Sequence, residues 1–274
     1  MGTQATWERS VMSGRSLYFD DAAAYEAFMG RWSRAAGDIF LDWLAPPKDA
    51  SWLDVGCGTG AFTELIVDTA LPATVSAVDP TQVQIEHARR QPVGQRADFQ
   101  VADAQALPFS DNSFDLVVAA LVINFIPDRS KALAEMRRVG RAGGIVAAYV
   151  WNFAKERSPG SLLRTGLQAI GIEIADLPGS ADSGLDALRS LFERAGFEQI
   201  ATKIIDVTML FANFDDLWRE QTLNFGPRGK IVAALSKAER ARLIDKVRAS
   251  LPVGPDGSVA YSARAHAIKA RIPG

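Results

Sequence analysis

The chain is 274 residues long, 48% hydrophobic and 23% charged, with a formal net charge of −2 and a pI near 5.8. That balance fits a globular protein built as one large α/β domain or as one domain with an inserted cap, and its scattered lysines and arginines exclude a broad basic face for nucleic acid or anionic membrane. The single cysteine, Cys57, excludes an internal disulfide and a cysteine-rich zinc site, so no metal centre is expected, and it fits a reducing, cytoplasmic setting.

No signal pattern opens the chain, and the longest apolar run, LVVAALVI at 116–123, is far too short to span a bilayer. MGTQAT matches the short pattern for N-terminal myristoylation, which recurs often by chance and is read that way here.

In chain order, AAGDIFLDWL (35–44) places Ala36, Ile39, Phe40, Trp43 and Leu44 at helical spacing, and Pro46-Pro47 stops it. SWLDVG (51–56) is a predicted strand running into LDVGCGTGAF, and Phe62, Leu65 and Ile66 form the stripe of the next helix. TVSAVD (74–79) is the second strand, with a helix over Gln82–Arg90. DFQVAD (98–103) is the third, then a loop, then the apolar fourth strand FDLVVAAL (114–121) and a helix over Ser130–Val139. RAGG (141–144) reads as a turn before the fifth strand, IVAAYVW (145–151). Strands alternating with helices in this way imply βαβ units and a parallel sheet.

After Trp151 the rhythm loosens. A helix is expected at 161–170, another from Leu185 to the stop at Gly196, and a strand at KIIDVTMLF (203–211). Ser236 and Glu239 form a capping box ahead of a helix at 237–250. GSVAYSARAHAIKA then alternates along a strand, so the sheet ends with two strands that lack a long crossover helix. Three parts follow: 1–45 as a helical lid, 46–151 as the ligand-binding core, and 152–274 as cap segments completing the same sheet.

Gly56, Gly58 and Ala61 fit G-x-G-x-x-G/A, the dinucleotide fingerprint, so a nicotinamide oxidoreductase is one reading. Ligands of open parallel sheets sit beyond the carboxyl ends of the strands. Asp54, Asp79 and Asp103 close the first three strands. Asp79, 25 residues after Asp54, stands where a ribose-binding acid belongs for either kind of ligand. A pyrophosphate about 5 Å from such a carboxylate would cost about 3 kcal/mol at an effective dielectric near 20, before screening. S-adenosylmethionine carries no phosphate; it brings a sulfonium and an ammonium, which acidic surroundings favour. Asp54 is then placed to hold the loop amides or the ammonium, and Asp103 with the Ala104 backbone suits adenine. Glycine-rich turns also occur for tight packing alone, and aspartates also cap helices.

LDVGCGTG, AVDP, VADAQALPFSDNSFDLVVAALVINFIPD and RAGG resemble the class I S-adenosylmethionine-dependent methyltransferases, nearest to their small-molecule branch of ubiquinone and menaquinone biosynthesis enzymes. The resemblance covers about 25–151, with LFERAGF, FDDLW and ARAHAIKA a weaker continuation. It implies a doubly wound, seven-stranded, mostly parallel sheet with an antiparallel last strand. It also implies that Gly56, Gly58 and Gly60 approach the methionine moiety, Asp79 the ribose, Pro80 and Thr81 the adenine ring, and Ala120 and Leu121 the sulfonium. Many relatives carry histidine where this chain has Asn124, which leaves it without that base.

Cys57 reads as a small loop filler, His87 as a solvated helix residue and His266 as a strand histidine satisfied by a partner. YEAFMGRWSR brings Tyr25 and Arg31 ahead of the core, as a lid with Arg31 or Arg34 on the ligand's carboxylate, or as a covering helix alone. Trp151, Trp218, Asn224 and Phe225 either line an acceptor cavity or pack the core. The expected activity is methyl transfer to an oxygen, nitrogen or carbon nucleophile of a small molecule, with a non-catalytic S-adenosylmethionine-binding protein as a further alternative.

Overall fold

A computed structural model describes residues 22–223 and 226–274, with side chains over 28–223 and 228–274. MGTQAT, Asn224 and Phe225 lie outside the described residues, as does the side chain of Tyr25.

The first described element is α1 (Ala22–Leu44), one helix that joins the YEAFMGRWSR stretch to the helix expected at 35–44. Gly37 stands where an added Cβ would come 2.7 Å from Leu65, so glycine allows close helix contact there. The sheet elements follow: β1 (Ser51–Val55), α2 (Ala61–Thr69), β2 (Thr74–Asp79), α3 (Gln82–Arg90), β3 (Asp98–Val101), β4 (Phe114–Ala120), α4 (Arg129–Val139) and β5 (Gly140–Trp151). Then come α5 (Ser161–Ala169), α6 (Leu185–Arg194), β6 (Glu198–Phe211), α7 (Phe214–Gln221), α8 (Gly226–Ala234), α9 (Lys237–Ala249) and β7 (Val259–Arg271).

The seven strands are ordered β3-β2-β1-β4-β5-β7-β6. Pairings β1–β2, β1–β4, β2–β3 and β4–β5 are parallel, while β5–β7 is antiparallel, running from Ile145↔Arg271 to Trp151↔Ala265. This is the doubly wound sheet expected. Its order reverses between β1 and β4, and a ligand cleft opens at such a reversal.

RAGG is not a turn ahead of β5 but a bulge inside it. Phe114 pairs with Gly140 and Leu116 with Ile145, and the intervening Gly143 N–H donates to Ile272 O at 3.0 Å. Binding to both neighbouring strands holds a stretch that reads locally as a turn.

The chain divides into two compact units. The larger comprises 33–157, 177–207 and 263–274. Its core joins Leu53, Val55, Val117, Val146 and Val150 of the strands to Leu133, Met136 and Phe192 of the helices. Burial of aliphatic faces on both sides of a parallel sheet is what the near-continuous apolar strands encode. The smaller unit comprises the described residues of 22–32, 158–176 and 208–262. In it Gly166 of α5 admits Leu243 and Val247 of α9, and the expected Ser236–Glu239 capping box starts α9. Neither α7 nor α8 follows from apolar spacing; α7 is started by Asn213, whose side chain accepts from the Asp216 N–H at 3.0 Å.

Candidate functional site

The glycine loop between β1 and α2 is fixed from below. Gly56 N–H and Cys57 N–H both donate to Val78 O, at 2.7 and 3.0 Å, which ties the loop to the end of β2. Gly56 has φ of 77°, and a Cβ there would lie 2.6 Å from a Val122 methyl. Gly58 has φ of 54°, but nothing stands within 4 Å of its would-be Cβ. Gly60 packs against the Phe99 ring. Gly56 therefore serves packing, whereas Gly58 leaves its backbone bare toward open space, the arrangement that lets a ligand approach the main chain.

Asp79 stands beside that opening and is 9% exposed. Its Oδ2 accepts from Gly58 N–H at 3.1 Å and its Oδ1 from Thr81 N–H at 2.9 Å. Two backbone donors fix the carboxylate's orientation and leave each oxygen a further lone pair. Burial raises its pKa, and the Thr81 and Gly58 hydrogen bonds pull the other way.

Of the two partners expected for Asp54, the loop amides and an ammonium, the loop amides are not the ones it meets. It is fully buried, and its Oδ2 accepts from Thr63 Oγ1 of α2 at 2.7 Å rather than from the loop amides. Its Oδ1 is buried with no partner among the described residues. Burial pushes its pKa up to about 7; the Thr63 bond opposes this, and the nearby Asp79 charge adds to it. Cys57, also buried, has its thiol pushed upward by burial and then by the two aspartates, so it is an inert filler as expected.

Asp103 is exposed, and its Oδ1 accepts from the Gln105 N–H at 2.8 Å and from the Gln105 side chain at 3.0 Å. Gln105 Oε1 in turn accepts from Asp128 N–H at 3.2 Å, linking the loop after β3 to the start of α4. Gln105 was not foreseen from motif spacing. Ala104 is buried, Pro80 exposed and Thr81 half-buried.

At the end of β4, Ala120 and Leu121 are half-buried. Leu121 takes φ of 58° with its N–H donating to Tyr149 O at 2.8 Å. A branched residue in the left-handed region is strained, and such strain gathers at ligand sites. Its neighbour Asn124 is 2% exposed, donates to Pro178 O at 3.4 Å, and has its side-chain oxygen unpartnered among the described residues.

The larger unit thus brings Gly58, Asp79 and Thr81 into hydrogen-bonded contact, with Asp54 buried close enough for the Asp79 charge to add to its raised pKa. Arg31 lies in the smaller unit, where its Nη1 pairs with Glu220 at 3.2 Å and its guanidinium stacks over Phe211. Trp218 stacks on Phe214, and Trp151 is buried with its indole N–H unpartnered among the described residues. His266 is 7% exposed; its Nδ1 meets Ser183 O at 2.9 Å and its Nε2 meets Asn152 Nδ2 at 3.3 Å, so both nitrogens are satisfied. Among the described residues no group of three or more His, Cys, Asp or Glu could hold a metal, and no helix is long and apolar enough to cross a membrane.

Residues 53–148 match the family model described as "Methyltransferase domain". That stretch is a methyltransferase domain. S-adenosyl-L-methionine is the cofactor that goes with it. The chain is 38% identical over 122 residues to the demethylmenaquinone methyltransferase of Roseiflexus castenholzii, covering 44% of this chain and 50% of that protein. It is 40% identical over 108 residues to a ubiquinone/menaquinone biosynthesis C-methyltransferase of Paracoccus denitrificans, covering 38% of this chain and 43% of that one. The chain therefore spans about half the length of the curated relatives it matches. In fold it resembles phosphoethanolamine N-methyltransferase 2 of Haemonchus contortus, solved with S-adenosyl-L-methionine. The TM-score is 0.56 at 18% identity, over 100% of this chain and 60% of that one. At that identity the likeness is one of fold.

The residues of the methyltransferase domain suit this cofactor chemically. Gly58 leaves room for a ligand, and the unpartnered Asp54 Oδ1 is an acceptor that a cationic group would satisfy. Two buried carboxylates in mutual repulsion favour a cation and disfavour a pyrophosphate.

Proposed function

We propose that the protein transfers a methyl group from S-adenosylmethionine to an oxygen, nitrogen or carbon nucleophile of a small molecule, in the cytoplasm. The observation that carries this reading is the bare Gly58 backbone held directly against the oriented Asp79 carboxylate, inside a matched methyltransferase domain. The bound cofactor supplies an activated methyl on a sulfonium, already a good leaving group. The chain's own residues bind, orient and exclude water.

Asp79 accepts the ribose hydroxyls with the lone pairs that Gly58 and Thr81 leave unused. Asp79, joined by Asp54 as that group ionises through about pH 7, holds a negative potential that draws the ammonium and sulfonium. Asp103, with the Ala104 backbone, takes the adenine edge, with Pro80 and Thr81 against its ring. Gly56 and Gly60 shape the loop around Gly58. Ala120 and Leu121, at the end of β4, face the reacting methyl, and Tyr25 and Arg31 belong to the lid. Alignment in a dry cavity contributes several kcal/mol to such a displacement. Asn124 is an amide and supplies no general base, so the proton of a protonated acceptor passes to water as the methyl group is transferred. The names of the quinone-pathway relatives support testing quinols and phenols first.

The test is incubation with S-adenosylmethionine labelled in its methyl group against a panel of quinols, phenols and amines. Label should enter at least one acceptor at a rate that falls on Asp79→Ala. Formation of no labelled product across the panel by protein that binds the cofactor would favour a binding protein without turnover.

A further inference from the structure

The sheet carries a second cavity at the end away from the glycine loop, about 610 Å3 in volume. It opens at the amino end of β4, a strand of seven residues, so it lies ~23 Å from the cleft end at about 3.3 Å per residue. Ser130, Ala134, Arg137 and Arg138 form one wall, on a single face of α4. Arg194 and Ala195, where α6 ends, form another, and Asp111, Asn112 and Ile272 close the remainder. A space of this size suits a small molecule rather than a peptide or a second protein.

The charges on its walls do not cancel. Arg138 is matched, pairing with Glu135 at 2.7 Å and Asp111 at 2.8 Å. Arg137 bonds only a main-chain carbonyl, Ala195 O at 3.2 Å, and no carboxylate is paired with it among the described residues. Arg194 has no ion-pair partner there either. Two guanidiniums from two helices thus line one cavity whose carboxylate, Asp111, is engaged by Arg138. The carbonyl bond holds Arg137 in place, and each planar fork matches the oxygens of a dianion. Ala134, Ala195 and the buried Ile272 supply an apolar surface beside them.

We propose that this cavity binds a phosphorylated small molecule, with its phosphoryl group between Arg137 and Arg194 and its body against Ala134, Ala195 and Ile272. The site is separate from the methyl-transfer cleft and does not depend on that assignment.

Calorimetry at constant ionic strength, with phenyl phosphate and inorganic phosphate as probes, tests it. Phenyl phosphate should bind saturably and more tightly than inorganic phosphate. Its affinity should fall at least tenfold in Arg137→Gln and in Arg194→Gln, and stay unchanged in Arg141→Gln, an exposed arginine outside the cavity that pairs with Asp115. Added S-adenosylhomocysteine should not displace it. Equal affinity in the Arg137→Gln/Arg194→Gln double variant and the wild type would overturn the site. Displacement by S-adenosylhomocysteine would overturn its separateness, and inorganic phosphate binding as tightly as phenyl phosphate would overturn a ligand with an apolar body.

Discussion

Asp54→Asn separates what the site costs the fold from what it does for the ligand. The folded chain holds the Asp54 proton up to about pH 7, against 3.8 for an ordinary aspartate. Between those values the native state binds more protons than the unfolded state, so stability falls as pH rises through that window. The contribution of neutral Asp54 is fully present below about pH 4 and is lost as pH passes about 7. At 1.36 kcal/mol per pH unit, the ionised group costs the fold about 4 kcal/mol at pH 8. Asparagine removes that cost and can still accept from Thr63, but it leaves an unpaired amide where Oδ1 stood, which costs about 1–3 kcal/mol. The variant should therefore be more stable than wild type at pH 8, by about 1–3 kcal/mol, and lose that advantage near pH 4. Its affinity for S-adenosylhomocysteine at pH 8 should nevertheless drop, because the ammonium loses a nearby negative charge. Urea denaturation of both proteins from pH 4 to 8 measures the first effect. Parallel pH profiles for wild type and variant would refute the assignment of a raised pKa to Asp54.

Asp79→Ala should weaken S-adenosylhomocysteine binding by roughly 2–3 kcal/mol while leaving a folded protein; unchanged affinity by calorimetry would remove Asp79 from the site. Gly56→Ala should chiefly lower the melting temperature, because its Cβ meets Val122 at 2.6–2.9 Å. Gly58→Ala, with nothing within 4 Å, should cost only about 1–2 kcal/mol of backbone strain yet abolish ligand binding; binding retained by folded Gly58→Ala would show that no ligand lies there. Amide exchange across 18–34 should slow when S-adenosylhomocysteine is added, and exchange unaffected by ligand would dismiss the lid and the roles of Tyr25 and Arg31.

The first half of the sheet was legible because each signal there is local and repeated. β2 and α3 match their expected limits at Thr74–Asp79 and Gln82–Arg90, where an apolar strand ends on an acid and a helical stripe follows. Where tertiary contact decides, local pattern falls short. α1 runs unbroken from Ala22 through Gly30 and Gly37, the second kept small by Leu65. β6 starts at Glu198 rather than 203, because its polar, exposed beginning lies on the last strand of the sheet and carries no burial signal. Spacing located Asp54 at the end of β1 but not the direction of its carboxylate, which depends on Thr63 nine residues later. The backbone turn at Leu121 has no residue signature, since the left-handed region is normally left to glycine or asparagine.

The central claim is tested most directly by calorimetry of the wild-type protein with S-adenosylhomocysteine and NADH side by side. The acidic, phosphate-averse loop formed by Gly58, Asp54 and Asp79 predicts micromolar binding of S-adenosylhomocysteine at one site and no measurable binding of NADH. NADH binding without S-adenosylhomocysteine binding would contradict it.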